Sequence, residues 1–172
     1  MGKIPKPLFA PLLAAVLSLP CPALAERAFV TRVSDGDTVK ARTADGRELK
    51  VRIIGIDTPE KFATRTGSAE CFGEEASAFA KETLGGKTVE IEGDPTQDRK
   101  DRYGRTLAHV YVGGELYAAL AARGGYGLAY VFKRPSLRAA EIAAAEGEAR
   151  KSGAGLWTAC PDEAATRYGR GR

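Results

Sequence analysis

The sequence predicts a small α+β, mainly β protein: five strands closing into a mixed barrel, with three helices packed around it. Three observations carry that expectation. Apolar and polar residues alternate in five short runs, as strands with one buried face require. Three further segments repeat apolar residues at helical spacing. The order of these runs lacks the βαβ rhythm of a parallel doubly wound sheet.

Residues 1–25 stand apart from that pattern. Lys3 and Lys6 open a mostly apolar stretch over 8–19, and Ala23-Leu24-Ala25 matches an A-x-A cleavage site, so a signal peptide is expected and the mature chain begins at Glu26. Pro11 and Pro20 interrupt the stretch, which falls short of the about 20 residues of a membrane span. Cys21 leaves with the leader. An exported protein, periplasmic or secreted, is the expectation. Residues 26–160 are enough for one domain with one core, followed by a polar tail at 161–172. The formal net charge of +4 is too small to name a partner, and two of its contributors lie in the leader.

The elements follow in order. Phe29-Val30-Thr31-Arg32-Val33, residues 39–43 and residues 48–56 read as a three-strand meander, broken by Asp35-Gly36 and by the hairpin signal Asp45-Gly46. In the third strand Leu49, Val51 and Ile53 share one face, so Lys50 and Arg52 must point to the other. Ala76, Phe79, Ala80 and Leu84 fall at helical spacing behind Glu74 and Glu75, and Gly85-Gly86 stops that helix. Residues 87–92 alternate as a fourth strand, a charged loop covers 94–104, and residues 105–112 alternate as a fifth. A short helix over 116–123 ends at Gly124-Gly125; an alanine-rich helix over 136–151 starts after Pro135. Five strands of this kind match an OB-type barrel, an architecture that commonly presents a face to oligonucleotides.

Carboxylates and arginines gather at the ends of these strands, where a packed barrel has no structural use for them. Asp35-Gly36-Asp37, Asp57-Thr58-Pro59-Glu60 and Asp101-Arg102-Tyr103-Gly104-Arg105 all sit at strand junctions. Oxygen donors such as Asp37 and Asp57 suit a hard cation. Taken alone, however, Asp35-Gly36-Asp37 reads as an ordinary turn, and it lacks the ligand spacing of an EF-hand. Arg52 and Arg105 carry planar forks that match phosphate oxygens, with a salt bridge such as Arg105 to Asp101 as the competing role. Glu60 could accept a proton from water beside a cation, or could simply face solvent. Cys71 and Cys160 are the two cysteines left after the leader, and in an oxidising compartment a disulfide is the simplest reading of them. Neither has His or Cys neighbours that would make a metal site.

Five ordered stretches resemble the staphylococcal nuclease family: DGDTV (35–39), VRIIGIDTPE (51–60), FGEEASAFAKE (72–82), DRYGRTLAHVYV (101–112) and AYVFK (129–133). The resemblance implies a five-stranded OB-like barrel with three helices and one calcium ion; the oxygen donors alone do not exclude magnesium. It implies Asp37, Asp57 and the carbonyl of Thr58 as metal ligands, with Asp35 in the outer shell. It implies Glu60 as the residue that activates or orients water, and Arg52 and Arg105 as the pair that holds the phosphate. The implied reaction is hydrolysis of DNA and RNA to 3′-phosphates by a monomeric, exported nuclease. Tyr103, Tyr130 and Arg102 match nucleotide-binding positions. Phe132 stands where a second tyrosine is usual, Arg102 where a lysine is usual, and His109 where an aromatic is usual. His109 is expected to pack, and Trp157 to anchor the last helix. The competing reading is a binding module on the same barrel without the chemistry.

Overall fold

A computed structural model describes residues 25–61 and 69–162 together with Ala164 and Thr166. The signal-peptide expectation therefore lies outside the described residues. In chain order the elements are β1 (Glu26–Val33), β2 (Thr38–Thr43), β3 (Glu48–Ile53), β4 (Ile56–Asp57), α1 (Gly73–Leu84), β5 (Thr88–Glu92), β6 (Thr106–Val112), β7 (Glu115–Leu116), α2 (Tyr117–Arg123), β8 (Leu128–Ala129), α3 (Ala139–Ser152) and α4 (Leu156–Ala159).

The five long strands close into a barrel. Antiparallel ladders run β3-β2-β1-β5-β6, and a parallel pairing of β3 with β6 shuts the sheet on itself. Inward residues alternate as the two-residue period demands: Val39 and Ala41 on β2, Val51 and Ile53 on β3, Val89 and Ile91 on β5, Ala108 and Val110 on β6. Strand β1 departs from strict alternation, burying Ala28, Val30 and then Val33. A register shift between Val30 and Arg32 explains it: one extra residue in β1 resets the parity, so Val33 turns inward again. Arg52 lies on the outer face of β3, as its parity requires.

Two expected boundaries move. The third strand ends at Ile53 rather than continuing to residue 56, because Gly55 takes a φ of 86° that breaks the extended chain. Ile56 and Asp57 then form their own short strand against Leu128 and Ala129. The last long helix begins at Ala139 instead of 136, since Ser136 to Arg138 first make a turn whose carbonyls accept from Ala139 and Ile142. It ends on Gly153 in the left-handed conformation, a common helix stop.

A fourth helix of one turn, α4, follows α3. Trp157 packs there with Leu128, Leu156, Ala164 and Phe72 in a small second cluster. Ala164, in the segment after Pro161, is buried and donates to the Cys160 carbonyl at 2.9 Å. Cys71 and Cys160 are joined as a disulfide, with Cα atoms 6.2 Å apart at a sequence separation of 89. Closing a loop of that length removes unfolded-state entropy worth roughly 4 to 5 kcal/mol in the chain-entropy view. The bridge ties the entrance of α1 to the end of α4.

Candidate active site

Barrel closure brings the charged strand ends to one place. Thr38 pairs with Arg52 across β2 and β3, and Arg52 pairs with Leu107 across β3 and β6. Asp37 therefore enters beside Arg52 from one side and Arg105 from the other. None of these neighbours is close in sequence.

Arg52 is the hub. One of its terminal nitrogens, Nη2, lies 3.0 Å from Asp37 Oδ2 and 3.4 Å from Asp57 Oδ1. The other, Nη1, donates to the carbonyls of Ile53 at 2.6 Å and Ile56 at 2.8 Å. These carbonyls flank the Gly55 break, so the same guanidinium staples the end of β3 to β4. Asp37 is buried, with 5% of its surface exposed. Its Oδ1 accepts from the Thr38 hydroxyl at 3.0 Å and its Oδ2 from the Thr58 N–H at 3.4 Å. Burial pushes the Asp37 carboxyl up to about 7, the positive Arg52 pulling against it and the charges of Asp35 and Asp57 adding to it.

Arg105 stands at the start of β6. Its Nε donates to Asp101 Oδ2 at 2.6 Å, so the salt bridge anticipated as a competing role is present. The fork is not spent on it: Nη1 also reaches the Thr38 hydroxyl at 3.3 Å, beside Asp37. Asp101 is an organiser of its own loop, accepting from the N–H groups of Tyr103 and Arg105. Burial opposes its charge, but these donors and the Arg105 guanidinium outweigh it and hold the carboxyl below the usual range.

Glu60 sits on the exposed lip after Pro59. Its N–H donates to Glu70 Oε2 at 2.8 Å, and its carbonyl accepts from the Glu70 N–H at 2.9 Å. Gly73 backs this pairing so closely that a Cβ there would stand 2.5 Å from the Glu60 carbonyl oxygen. The Glu60 side chain is left available by a backbone that is held. Partial burial raises its pKa, with the charges of Asp35, Glu70 and Asp57 adding to the shift and Arg52 opposing it. It thus lies within electrostatic reach of the carboxylate cluster.

A cleft of about 430 Å³ opens over Arg52, Arg105 and Asp57. Its rim carries Tyr103, Arg102, Tyr130 and Phe132. Tyr103 is two-thirds exposed; Arg102 donates to its hydroxyl at 2.6 Å and lies 4.8 Å from its ring centre. The far wall holds Gln97, Asp98, Lys133 and Arg134. Buried Asp94 fastens that wall, accepting from Leu137 N–H at 2.7 Å and from Thr96 while contacting His109 Nε2 at 3.0 Å. His109 is buried and packs, as expected from the sequence.

The donor set suits a hard cation. Asp37 and Asp57 approach one another as nearly as a single guanidinium nitrogen can bridge, Asp35 is adjacent, and all three offer only oxygen. Among the described residues no group of three or more His, Cys, Asp or Glu side chains is placed to hold a metal ion. Two carboxylates and a carbonyl do not amount to such a group in any case. Sequence reasoning missed three supports of this site: Glu70, Thr38 and Tyr117, whose hydroxyl donates to the Gly36 carbonyl at 2.6 Å. Thr38 bonds both its neighbour Asp37 and distant Arg105, Tyr117 reaches a distant backbone carbonyl, and Glu70 holds the backbone of Glu60, so no local pattern marks them.

Guanidinium forks beside clustered oxygen donors, on the outer face of a closed five-stranded barrel, define an OB-type fold equipped to handle phosphate. Comparison with known proteins narrows the class. Residues 50–159 match the family described as staphylococcal nuclease homologue. The chain is 39% identical over 130 residues to a thermonuclease of Staphylococcus hyicus, covering 75% of this chain and 74% of that one. It is 36% identical over 132 residues to a thermonuclease of Staphylococcus intermedius, covering 77% and 76% respectively. Endonuclease YncB of Bacillus subtilis is 33% identical over 128 residues, which span 74% of this chain but 59% of the relative. The chain belongs to the staphylococcal nuclease family.

Proposed function

We propose that this chain, a nuclease by family, is an exported, calcium-dependent hydrolase of DNA and RNA that acts as a monomer and leaves 3′-phosphates. The observation that carries the reading is the position of Arg52, which lines the cleft with Asp57 and Arg105 and pairs with buried Asp37 behind it. Water attacks phosphorus, negative charge builds on the phosphoryl oxygens, and the bond to the 5′ oxygen breaks, that oxygen leaving as a hydroxyl with a proton from solvent. Fixed cations aimed at those phosphoryl oxygens stabilise the transition state more than the bound substrate. Arg52 and Arg105 do so with forks held by Asp57, Asp37, Asp101 and Thr38. Glu60 accepts the proton of the attacking water, a role favoured by its raised pKa. Calcium would be held by Asp37, Asp57 and the Thr58 carbonyl with Asp35 outside them, and would supply positive charge and Lewis acidity beside the phosphate. Tyr103 and Tyr130 receive bases by stacking, and Arg102 steadies Tyr103.

Export agrees with the disulfide, since such bridges persist in oxidising compartments. Among the described residues no helix is long and apolar enough to cross a membrane. The test is release of acid-soluble nucleotides from denatured DNA and from RNA, with calcium, with magnesium and with chelator. Calcium-dependent release with 3′-phosphate ends is expected. Retention of DNA without cleavage under every condition would instead favour a binding module.

A further inference from the structure

Among the described residues Tyr117 is the largest fully buried side chain. Its ring stacks on Phe79 with centroids 6.0 Å apart, and its α2 neighbours Ala118, Ala119, Ala121 and Ala122 are all buried alanines. An apolar ring would fill that volume equally well. The hydroxyl is therefore the unexplained part, because a buried phenol needs a partner and desolvating it otherwise costs free energy. Its partner is the Gly36 carbonyl, 81 positions away in sequence.

Gly36 is the centre of the turn between Asp35 and Asp37, and both of its other faces are already committed. A Cβ on Gly36 would stand 2.6 Å from Thr58 Oγ1, so the turn presses directly on the Thr58 side chain. Gly127 presses on the same residue from elsewhere, a Cβ there falling 2.9 Å from Thr58 Cγ2 and 3.0 Å from the Asp57 carbonyl. Asp35 Oδ1 accepts from the Asp37 N–H at 3.1 Å, closing the turn locally. Those contacts set how close the turn comes to the Asp57-Thr58 segment. The Gly36 carbonyl and the Asp37 N–H are the two ends of one peptide plane, so Asp35 holds the N–H end and the Tyr117 hydroxyl the carbonyl end, at a glycine that permits more rotation than any other residue.

We infer that Tyr117 is a positioning residue for cleavage: its phenol fixes the Gly36 peptide and thereby aims the Asp37 carboxylate at Arg52 and the Asp57-Thr58 segment. The inference rests on the proposed function. Tyr117 touches neither substrate nor cation and acts only through Gly36. Burial, and then the charges of Asp37 and Asp35, push the phenol's pKa upward, so it stays a donor. The cost of losing it is angular rather than electrostatic, and displacements of about 1 Å at a reacting centre can cost about 10²-fold in rate.

The experiment is Tyr117→Phe, which keeps the ring and deletes the donor, compared with Val89→Ala, a cavity in the β5 core remote from the cleft. Steady-state cleavage of denatured DNA is measured well below both melting temperatures. Expected for Tyr117→Phe is a fall in kcat of about tenfold or more with KM nearly unchanged, while Val89→Ala keeps its kcat. A second reading needs no activity: in chelator, amide resonances of Gly36, Asp37 and Thr58 should move in Tyr117→Phe and stay in place in Val89→Ala. A smaller fall in kcat, an equal fall in Val89→Ala, or unmoved turn amides would overturn the inference. If the wild-type protein cleaves nothing, the proposed function fails, and the amide resonances still decide whether Tyr117 sets the turn.

Discussion

The floor and the rim of the cleft are held in different ways. On the floor, Arg52 is mostly buried over buried Asp37, and both of its terminal nitrogens have protein partners. On the rim, Tyr103 and Phe132 are more than half exposed, steadied chiefly by nearby cations such as Arg102 and Lys133. The groups that would meet the reacting phosphate are thus organised before substrate arrives, where electrostatic stabilisation works best. The groups that would meet bases stay accessible, which suits stacking on any base.

Four measurements bear on that contrast. Glu60→Gln should lose about 10²- to 10⁴-fold in turnover while its circular dichroism and melting temperature stay close to wild type, because only its backbone is gripped. Arg52→Ala and Arg105→Ala should each lose about 10²- to 10³-fold in activity. They should differ in stability. Arg52→Ala strands buried Asp37 and should cost about 3 to 5 kcal/mol in urea unfolding, whereas Arg105→Ala leaves a more accessible partner and should cost clearly less. Equal losses would erase the distinction between a buried hub and a partly solvated arm.

The third measurement is pH dependence. The folded-state pKa of Asp37 is raised from 3.8 to about 7, so its proton favours the folded form. That contribution is complete below the unfolded value and is lost as pH rises through about 7. In chelator, Asp37→Asn should melt near wild type at about pH 4 and increasingly above it toward about pH 8, the gap closing when calcium is added to the wild-type protein. A constant gap would mean the buried carboxyl is not strained by its surroundings. The smallest effect belongs to the rim: Phe132→Tyr restores a hydroxyl and should lower KM by about two- to tenfold with kcat unchanged, as one added hydrogen bond allows.

Much of this was legible in the sequence. Alternation of apolar residues located all five barrel strands, and parity alone put Arg52 outside the core, since a strand has only two faces. Order and spacing of five motifs located the charged strand ends. The break at Gly55 was not legible, because Ile54 and Ile56 continue the apolar run and only a backbone dihedral reveals the turn. The bulge in β1 was equally silent, as one extra residue leaves composition and hydropathy unchanged.

Sequence by itself therefore determined the five barrel strands, the outward face of Arg52, the family and the identity of the charged residues. The tertiary structure alone decided which of them meet. Parallel pairing of β3 with β6 sets Arg52 beside the start of β6, and the wrap of the chain brings Tyr117 to Gly36. Those encounters join residues tens of positions apart, and nothing in a local pattern specifies them. They come from closing one particular barrel around one particular core.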